Sequence, residues 1–402
     1  MRICICFLAG FAMVMAENTY PYETENDLLV ASTQFTVNLF EEVAKENPGK
    51  SVVMSGFSVM APLAQLGLAS VGSSHDEILN VLGLRNENTT KAVFEFANGQ
   101  LKSRAGIDLK IANSVYIPEG YELNDEFNAV SRDVFHSDVK QVDFTKNNEA
   151  ASKINTWVED NTNNRIKNLI DPKSLGSDTK AIIVNAIYFK GGWRLSEKFD
   201  PKLTQERDFQ ISKDKMVKVP TMFMNSMYRF KASEEFDAKF LEIPYEDDFA
   251  SFIVVLPNQV DGVTALEQKL KQKPDVLTDY IRNLVQTEVD LYLPKFKIET
   301  TISLKSVLNK IGVKSLFDPA NSKLEKLVKN GNDIYITDAI QKAFIEVNEE
   351  GAEAAAASGF FGVGASFFIP DKQTFVADHP FLFFIVDRNR ILFNGVYYGE
   401  VN

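Results

Sequence analysis

Apolar residues return at helical intervals near the start of the chain, where Leu29, Phe35, Leu39, Phe40 and Val43 share one face before Pro48-Gly49. A second apolar helix is expected after Ser58, carrying Met60, Leu63 and Leu66, and Ser74 reads as the N-cap of a helix over 76–82. Ile107, Leu109, Ile111, Asn113, Val115 and Ile117 occupy every second position, the signature of a strand. Further helices are predicted at 123–135 and 147–165. The unbroken apolar runs at 181–189 and 251–256 suit strands buried on both faces. Val289, Leu291 and Leu293 alternate again, and two Phe-rich strands close the chain at 381–386 and 391–398. Helices dominate the first half and strands the second, with no linker or repeat between them. The pattern therefore predicts an α+β class, built on large sheets in one domain.

Composition agrees with a folded chain. The 402 residues are 45% hydrophobic and 24% charged, which excludes wholesale disorder and collagen-like structure. A formal net charge of −12 argues against a nucleic-acid binder, which would need a concentrated basic face. Arg2 precedes an uncharged apolar run, Ile3 to Ala16, that is too short to span a bilayer. Val14 and Ala16 stand at the −3 and −1 positions before Glu17, so residues 1–16 read as a secretory signal peptide and 17–402 as the mature domain. Both cysteines, Cys4 and Cys6, fall in the leader. A mature chain without disulfides relies on its core, to which 31 Phe contribute bulk. Asn88-Thr89-Thr90 is the only N-glycosylation sequon.

The usual catalytic signatures are missing. Only His75, His136 and His379 are present, and the first two read as surface or capping residues. There is no H-E-x-x-H, no G-x-S-x-G and, beyond the leader, no C-x-x-C; no metal or cofactor is expected. Gly359, Gly362 and Gly364 lack the Lys-Ser/Thr that a phosphate loop requires. The informative segment begins at Glu349-Glu350-Gly351. From Ala354 to Pro370 no side chain is charged, three glycines fall within six residues, and Phe360, Phe361, Phe367 and Phe368 punctuate the run. The alanines alone would suit a helix. The bracketing glycines instead suggest a flexible segment displaying phenylalanines, and exposed apolar residues of this kind mark a partner's binding site.

Four blocks make the chain recognisable. They are Asn185-Ala186-Ile187-Tyr188-Phe189-Lys190-Gly191-Gly192-Trp193, Leu293-Pro294-Lys295-Phe296, Lys342-Ala343-Phe344-Ile345-Glu346-Val347-Asn348-Glu349-Glu350-Gly351, and Asp378-His379-Pro380-Phe381-Leu382-Phe383. Together they resemble the serpin family, and insect antitrypsin-like serpins of the alaserpin type in particular. The resemblance covers essentially the whole mature chain. It implies a single large domain of about nine helices packed on three β-sheets, with an exposed reactive-centre loop at about 350–371. It also implies an extracellular, haemolymph-type monomer that is no enzyme but a suicide substrate, forming a covalent complex with a serine protease. A non-inhibitory carrier, storage protein or chaperone is the alternative from another class, and an inhibitor of papain-like cysteine proteases is a third.

The family's roles carry over position by position. Gly351, Ala352, Glu353, Ala354, Ala355, Ala356, Ala357 and Ser358 match the hinge that enters the main sheet. Counting along the loop by the family's spacing puts the cleaved bond at Ala365-Ser366, which suits an elastase-like pocket. Phe361, Phe367 and Phe368 are rival baits for a chymotrypsin-like or cathepsin-like protease. Ser55, Ser58, Asn185 and Gln341 match the shutter; Gln341 stands where the family usually has histidine, and Gly56 replaces a usual proline, a change expected to loosen the shutter. Trp193, Lys295 and Glu349 match the breach. Arg85, Lys91, Lys102 and Arg104 are scattered among acids, so heparin-type activation is not expected.

The hinge chemistry agrees with insertion. Gly351 to Ile369 contains no proline, so every residue can donate to a ladder. At period two, Ala352, Ala354, Ala356 and Ser358 share one face, whose small side chains fit between strands without overpacking.

Overall fold

The computed structural model describes residues 22–100, 106–137, 139–330, 333–350, 371–388 and 390–399. Among them the helices are α1 (Tyr22–Glu46), α2 (Gly56–Ala69), α3 (Gly72–Leu82), α4 (Glu87–Gln100), α5 (Asp125–Asp133), α6 (Asn147–Asn161), α7 (Val263–Gln272), α8 (Pro274–Arg282) and α9 (Leu304–Ile311). The strands of the first half are β1 (Val52–Met54), β2 (Ile107–Pro118), β3 (Val139–Val142) and β4 (Ile182–Gly191). They are followed by β5 (Gln205–Ser212), β6 (Lys215–Ser233), β7 (Ala238–Pro244), β8 (Ala250–Pro257), β9 (Val285–Pro294) and β10 (Phe296–Ser303). The last four are β11 (Asp338–Val347), β12 (Gln373–Val376), β13 (Phe381–Asp387) and β14 (Arg390–Tyr397).

The strands hydrogen-bond into two networks. One is a five-stranded sheet in the order β10-β11-β4-β2-β3. The other has nine strands and divides at the long β6. One side is β1-β14-β13-β8-β7-β6; the other is the leaf formed by β6 with β5, β9 and β12. Counted as leaves, the sheets number three. The apolar runs read from sequence occupy the centres: β4 is buried almost throughout, and β8, β13 and β14 throughout. The larger apolar cluster fills the space between sheets and helices. A second, smaller one lies between α6 with its following segment and the opposite face of β2 and β4.

Local chemistry sets several boundaries. Ser55 caps α2 by accepting from Ser58 N, so the helix starts at Gly56 and Ser58 lies in its first turn rather than before it. Ser74 is not a cap. Helix α3 starts at Gly72, and the buried Ser74 hydroxyl instead accepts from Lys323 N at 3.3 Å. Asn124 caps α5 by accepting from Glu126 N and Phe127 N. Helix α6 stops at Asn161 because Thr162 turns its hydroxyl back to Val158 O at 2.7 Å and Asn163 and Asn164 adopt positive φ. No helix among the described residues is long and apolar enough to cross a membrane.

Candidate functional site

The five-stranded sheet has a seam at its centre. Strands β4 and β11 run parallel over eight residue pairs, from Ile182 opposite Asp338 to Phe189 opposite Ile345. The ladders flanking them, β2 with β4 and β10 with β11, are antiparallel. Parallel pairing is slightly the weaker per residue, so the seam is the natural line of separation.

Asn185 stands opposite Gln341 across this seam, and opposite Asn113 on its other side. The groups that bond to them beneath the seam are polar. The Gln341 amide nitrogen donates to Asn185 Oδ1 at 2.6 Å and to Ser55 O at 2.9 Å, and reaches Ser58 Oγ at 3.2 Å. Its Oε1 accepts from Ser55 N at 3.2 Å. The Ser58 hydroxyl donates to Asn185 Oδ1 at 3.0 Å, while Asn185 Nδ2 donates to Ser58 O and to Asn113 Oδ1. Ser55, Ser58, Asn185 and Gln341 are all essentially inaccessible to water. Buried polar groups this densely paired fix the spacing of the strands above the start of α2. The glycine at 56 does not loosen the packing. A Cβ there would lie 2.4 Å from Thr36 Oγ1 and 2.7 Å from its Cα, so the absence of a side chain lets α2 close onto α1.

The opposite face of the seam is held differently. The rings of Tyr188 and Phe344, neighbours across it, stand 5.8 Å apart. Lys342 Nζ donates to Lys167 O at 2.9 Å, in the connection from α6 to β4, and pairs with Glu299 of β10 at 2.8 Å.

At the end of the seam where β11 leaves the sheet, Trp193, Lys295 and Glu349 converge. Trp193 is buried, stacks on Tyr245 at 4.9 Å, and donates its indole N–H to Asn348 O at 2.7 Å. Glu349 pairs with Lys295 at 2.7 Å and accepts from the Thr204 hydroxyl at 2.8 Å. Burial opposes ionisation of Glu349, but Lys295 and Thr204 outweigh it and hold the carboxyl below its usual range. Burial pushes the Tyr245 phenol well up, leaving it a neutral stacking surface for Trp193. Two residues after Glu349 the chain passes out of the described range. The whole hinge (Gly351 to Ser358), the Ala365-Ser366 bond and the alternative baits Phe361, Phe367 and Phe368 lie outside the described residues, as do residues 1–16.

Asn113 is the member of the network that sequence reasoning missed, although a signal was present: it is the one polar residue in the apolar phase of β2. Tyr245, Thr204 and Asn348 carried no comparable signal. Asn88 is exposed in the first turn of α4, while Thr90 of the same sequon is buried and donates to Asn86 O. Arg85 pairs with Glu23 and Asp27; Lys102 and Arg104 lie outside the described residues. His75 contacts Gly67 O at 2.8 Å, His136 is exposed, and His379 is buried between Asp378 and the Pro257 carbonyl. Among the described residues no three His, Cys, Asp or Glu side chains cluster to hold a metal ion.

Comparison with known proteins adds the family. Residues 30–399 match the family described as Serpin (serine protease inhibitor). The chain is 52% identical to Alaserpin of Manduca sexta over 98% of its own length and 99% of that protein's. It is 49% identical to Antichymotrypsin-2 of Bombyx mori, over 93% and 98% respectively. Among solved structures it is similar to Serpin48 of Tenebrio molitor, with a TM-score of 0.83 and 32% identity, over 94% of this chain and 99% of that one.

Proposed function

The chain belongs to the serpin family, and from that premise we propose that it is a secreted suicide-substrate inhibitor of a serine protease with an elastase-like or chymotrypsin-like pocket. The apolar leader at 1–16 supports export. The protease's serine oxygen attacks the Ala365 carbonyl carbon, the Ala365-Ser366 peptide bond breaks, and the Ser366 amine departs with a proton. The product is an ester joining the protease to Ala365. Residues from Gly351 to Ala365 then enter the sheet as a new strand, carrying the esterified protease with them and distorting its active site before water can release it.

One observation carries this reading: the seam is parallel. A strand that turns back from the end of β11 runs antiparallel to β11, and because β4 is parallel to β11 it runs antiparallel to β4 as well. Insertion therefore replaces one parallel ladder by two antiparallel ones, a case of strand addition for which serpin loops are a known instance. Each new backbone hydrogen bond is worth ~0.5–1.5 kcal/mol net, so the strand contributes on the order of 10 kcal/mol before entropy. In this reading the network of Ser55, Ser58, Asn185 and Gln341 is the shutter that must open. Trp193, with the Lys295–Glu349 pair, guards the point where the hinge begins to insert.

The test is incubation of the protein with elastase, chymotrypsin, trypsin and a papain-like protease, followed by a denaturing gel and the mass of the released C-terminal peptide. An SDS-stable complex with a peptide starting at Ser366 is the expected result. A complex with another peptide moves the scissile bond, and one formed with the papain-like enzyme alone changes the target class. Cleavage without any complex, and without a rise in melting temperature, replaces the proposal with a non-inhibitory carrier, storage or chaperone role.

A further inference from the structure

Helix α7 is held on the fold by few groups. Of its ten residues only Val263, Leu266 and Leu270 are buried, and its N-terminus has no side-chain cap. It lies against α1, β8 and α8. The backbone leaves helical geometry at Lys273, and Pro274 starts α8 afresh. Helix α8 is anchored on its own account, because Arg229 donates to the Ile281 and Arg282 carbonyls at 3.0 and 2.9 Å. A short helix resting on three apolar side chains, with a break before its neighbour, is a unit that can open by itself.

The stripe that α7 turns to the fold carries one carboxyl. By helical spacing Glu267 shares a face with Val263, Leu266 and Leu270, and it is half-buried there. Among the described residues it forms no hydrogen bond or ion pair. Lys271, the natural partner one turn on, pairs instead with Glu41 of α1, which Lys45 also holds at 2.9 Å. Lys45 takes Glu42 at 2.7 Å as well. Tyr398, from the segment after β14, meets Glu267 on another side. Strand β8 has no charged side chain, and Arg282 of α8 turns to Asp279. Burial, with the Glu41 charge second, pushes the Glu267 carboxyl up to about 7. Burial also opposes ionisation of Glu41, but Lys271 and Lys45 outweigh it and hold that carboxyl low. Burial and the Glu267 charge push the Tyr398 phenol up to about 12, so it stays neutral.

We propose that the α1–α7 contact is a pH-sensitive latch, closed while Glu267 carries its proton and loosened when Glu267 ionises beside Glu41, so that α7 opens while α8 and the sheets stay in place. Opening uncovers Leu266 and Leu270, so the chain shows an apolar strip at neutral and alkaline pH and hides it in acid. The sign follows from where the proton is held more tightly. The closed form binds it better than the open form, so the latch is strongest in acid and weakens as pH rises from about 4.5 to about 7. The inference makes no use of the inhibitory reading and stands or falls apart from it.

The experiment is hydrogen exchange of the full chain and of its variants Glu267→Gln and Glu41→Gln, read peptide by peptide from pH 5 to pH 8 and corrected for the intrinsic exchange rate. In the parent, protection of residues 263–272 should fall on the order of fiftyfold across this range, since each unit between the two carboxyl values is a factor of ten. Helix α9 also packs on α1, but its Lys310 pairs at 2.7 Å with a Glu46 that is held low and ionised throughout, so its protection should not follow. Glu267→Gln should abolish the fall and leave α7 better protected than the parent at pH 8. Glu41→Gln removes the like charge and frees Lys271 for Glu267, so it should move the transition to lower pH; it reads the same cluster if Glu267→Gln packs poorly. An equal fall in Glu267→Gln, or an unmoved transition in Glu41→Gln, would overturn the proposal. So would α7 protection in the parent that is the same at both ends of the range, or a loss shared equally by α7 and α9, which marks global unfolding.

Discussion

Gln341→Met tests whether the polar network holds the seam. The substitution keeps length and lack of branching but removes both amide atoms from a site with no access to water. Ser55 N–H loses Oε1, its acceptor at 3.2 Å. Asn185 Oδ1 and Ser55 O both lose the Gln341 amide and must share the Ser58 hydroxyl, which has one hydrogen to give. The variant thus leaves about one donor and one acceptor buried without partners, each costing ~1–3 kcal/mol. Some of this is offset by the apolar methionine, leaving ~2–4 kcal/mol net. With an unfolding entropy of ~2.1 cal/mol/K per residue, the melting point of the uncleaved protein should fall by about 2–5 °C, compared at one scan rate.

The same variant separates a seam effect from a general core defect. In the proposed mechanism cleavage brings a new strand between β4 and β11, which would break the Gln341–Asn185 bond at 2.6 Å in both proteins. The difference between variant and parent should therefore shrink when both are cleaved in the loop and melted again. An equal difference before and after cleavage would refute the argument, as would an unchanged melting point of the uncleaved form.

Three further outcomes are expected. Ala352→Pro removes one N–H at the start of the hinge and should turn the inhibitor into a substrate, seen as cleavage without an SDS-stable band; full retained inhibition would contradict insertion. Ala365→Arg should redirect inhibition toward trypsin, and a C-terminal peptide still starting after a phenylalanine would show that the scissile bond lies elsewhere. Burial, with the nearby Glu41 charge, pushes the Glu267 carboxyl up to about 7, although Glu41 is itself held low by Lys45 and Lys271. A raised carboxyl stabilises the fold fully below its unfolded value near 4.5 and loses that contribution as pH rises through 7. Glu267→Gln should therefore match the parent in urea unfolding at pH 4.5 and exceed it by on the order of 2–3 kcal/mol at pH 8. Equal stability at pH 8 would show that Glu267 is solvated.

Much of the fold was legible because burial imposes a period. The alternation at Val289, Leu291 and Leu293 is the inner face of β9, and the unbroken runs at 181–189 and 251–256 are β4 and β8, covered on both sides. The long β6 escaped because its environment changes along its length. Pro220 stands within it, Met222 and Met224 face inward between outward Phe223 and Asn225, and no single burial period survives the passage between leaves. Helices α7, α8 and α9 are short and amphipathic, with only a few buried positions each. The site was legible in a different way. Ser55, Asn185 and Gln341 are far apart in sequence, and no local rule links them; they were found through family resemblance, and their hydrogen bonds come from the register of β4 against β11.

Asn113 shows what local physics can find when it is applied to exceptions. Every other member of its phase in β2 is apolar, so an amide there had to be either an unpaired buried group or half of a polar pair. The structure supplies the pair, Asn185, directly opposite in register. The same logic extends across the sheet. Asn113, Asn185 and Gln341 form one polar row over three adjacent strands, each paired through its neighbour, across the parallel seam. An apolar row would lose its contacts by degrees as the strands part, without the directional requirement of a hydrogen bond. An amide row holds only at hydrogen-bond distance and is lost in one step when that distance is exceeded. In the proposed mechanism such a row would keep the seam closed until a strand begins to enter and would then give way in one step, as a trap that must not close before its target is attached requires.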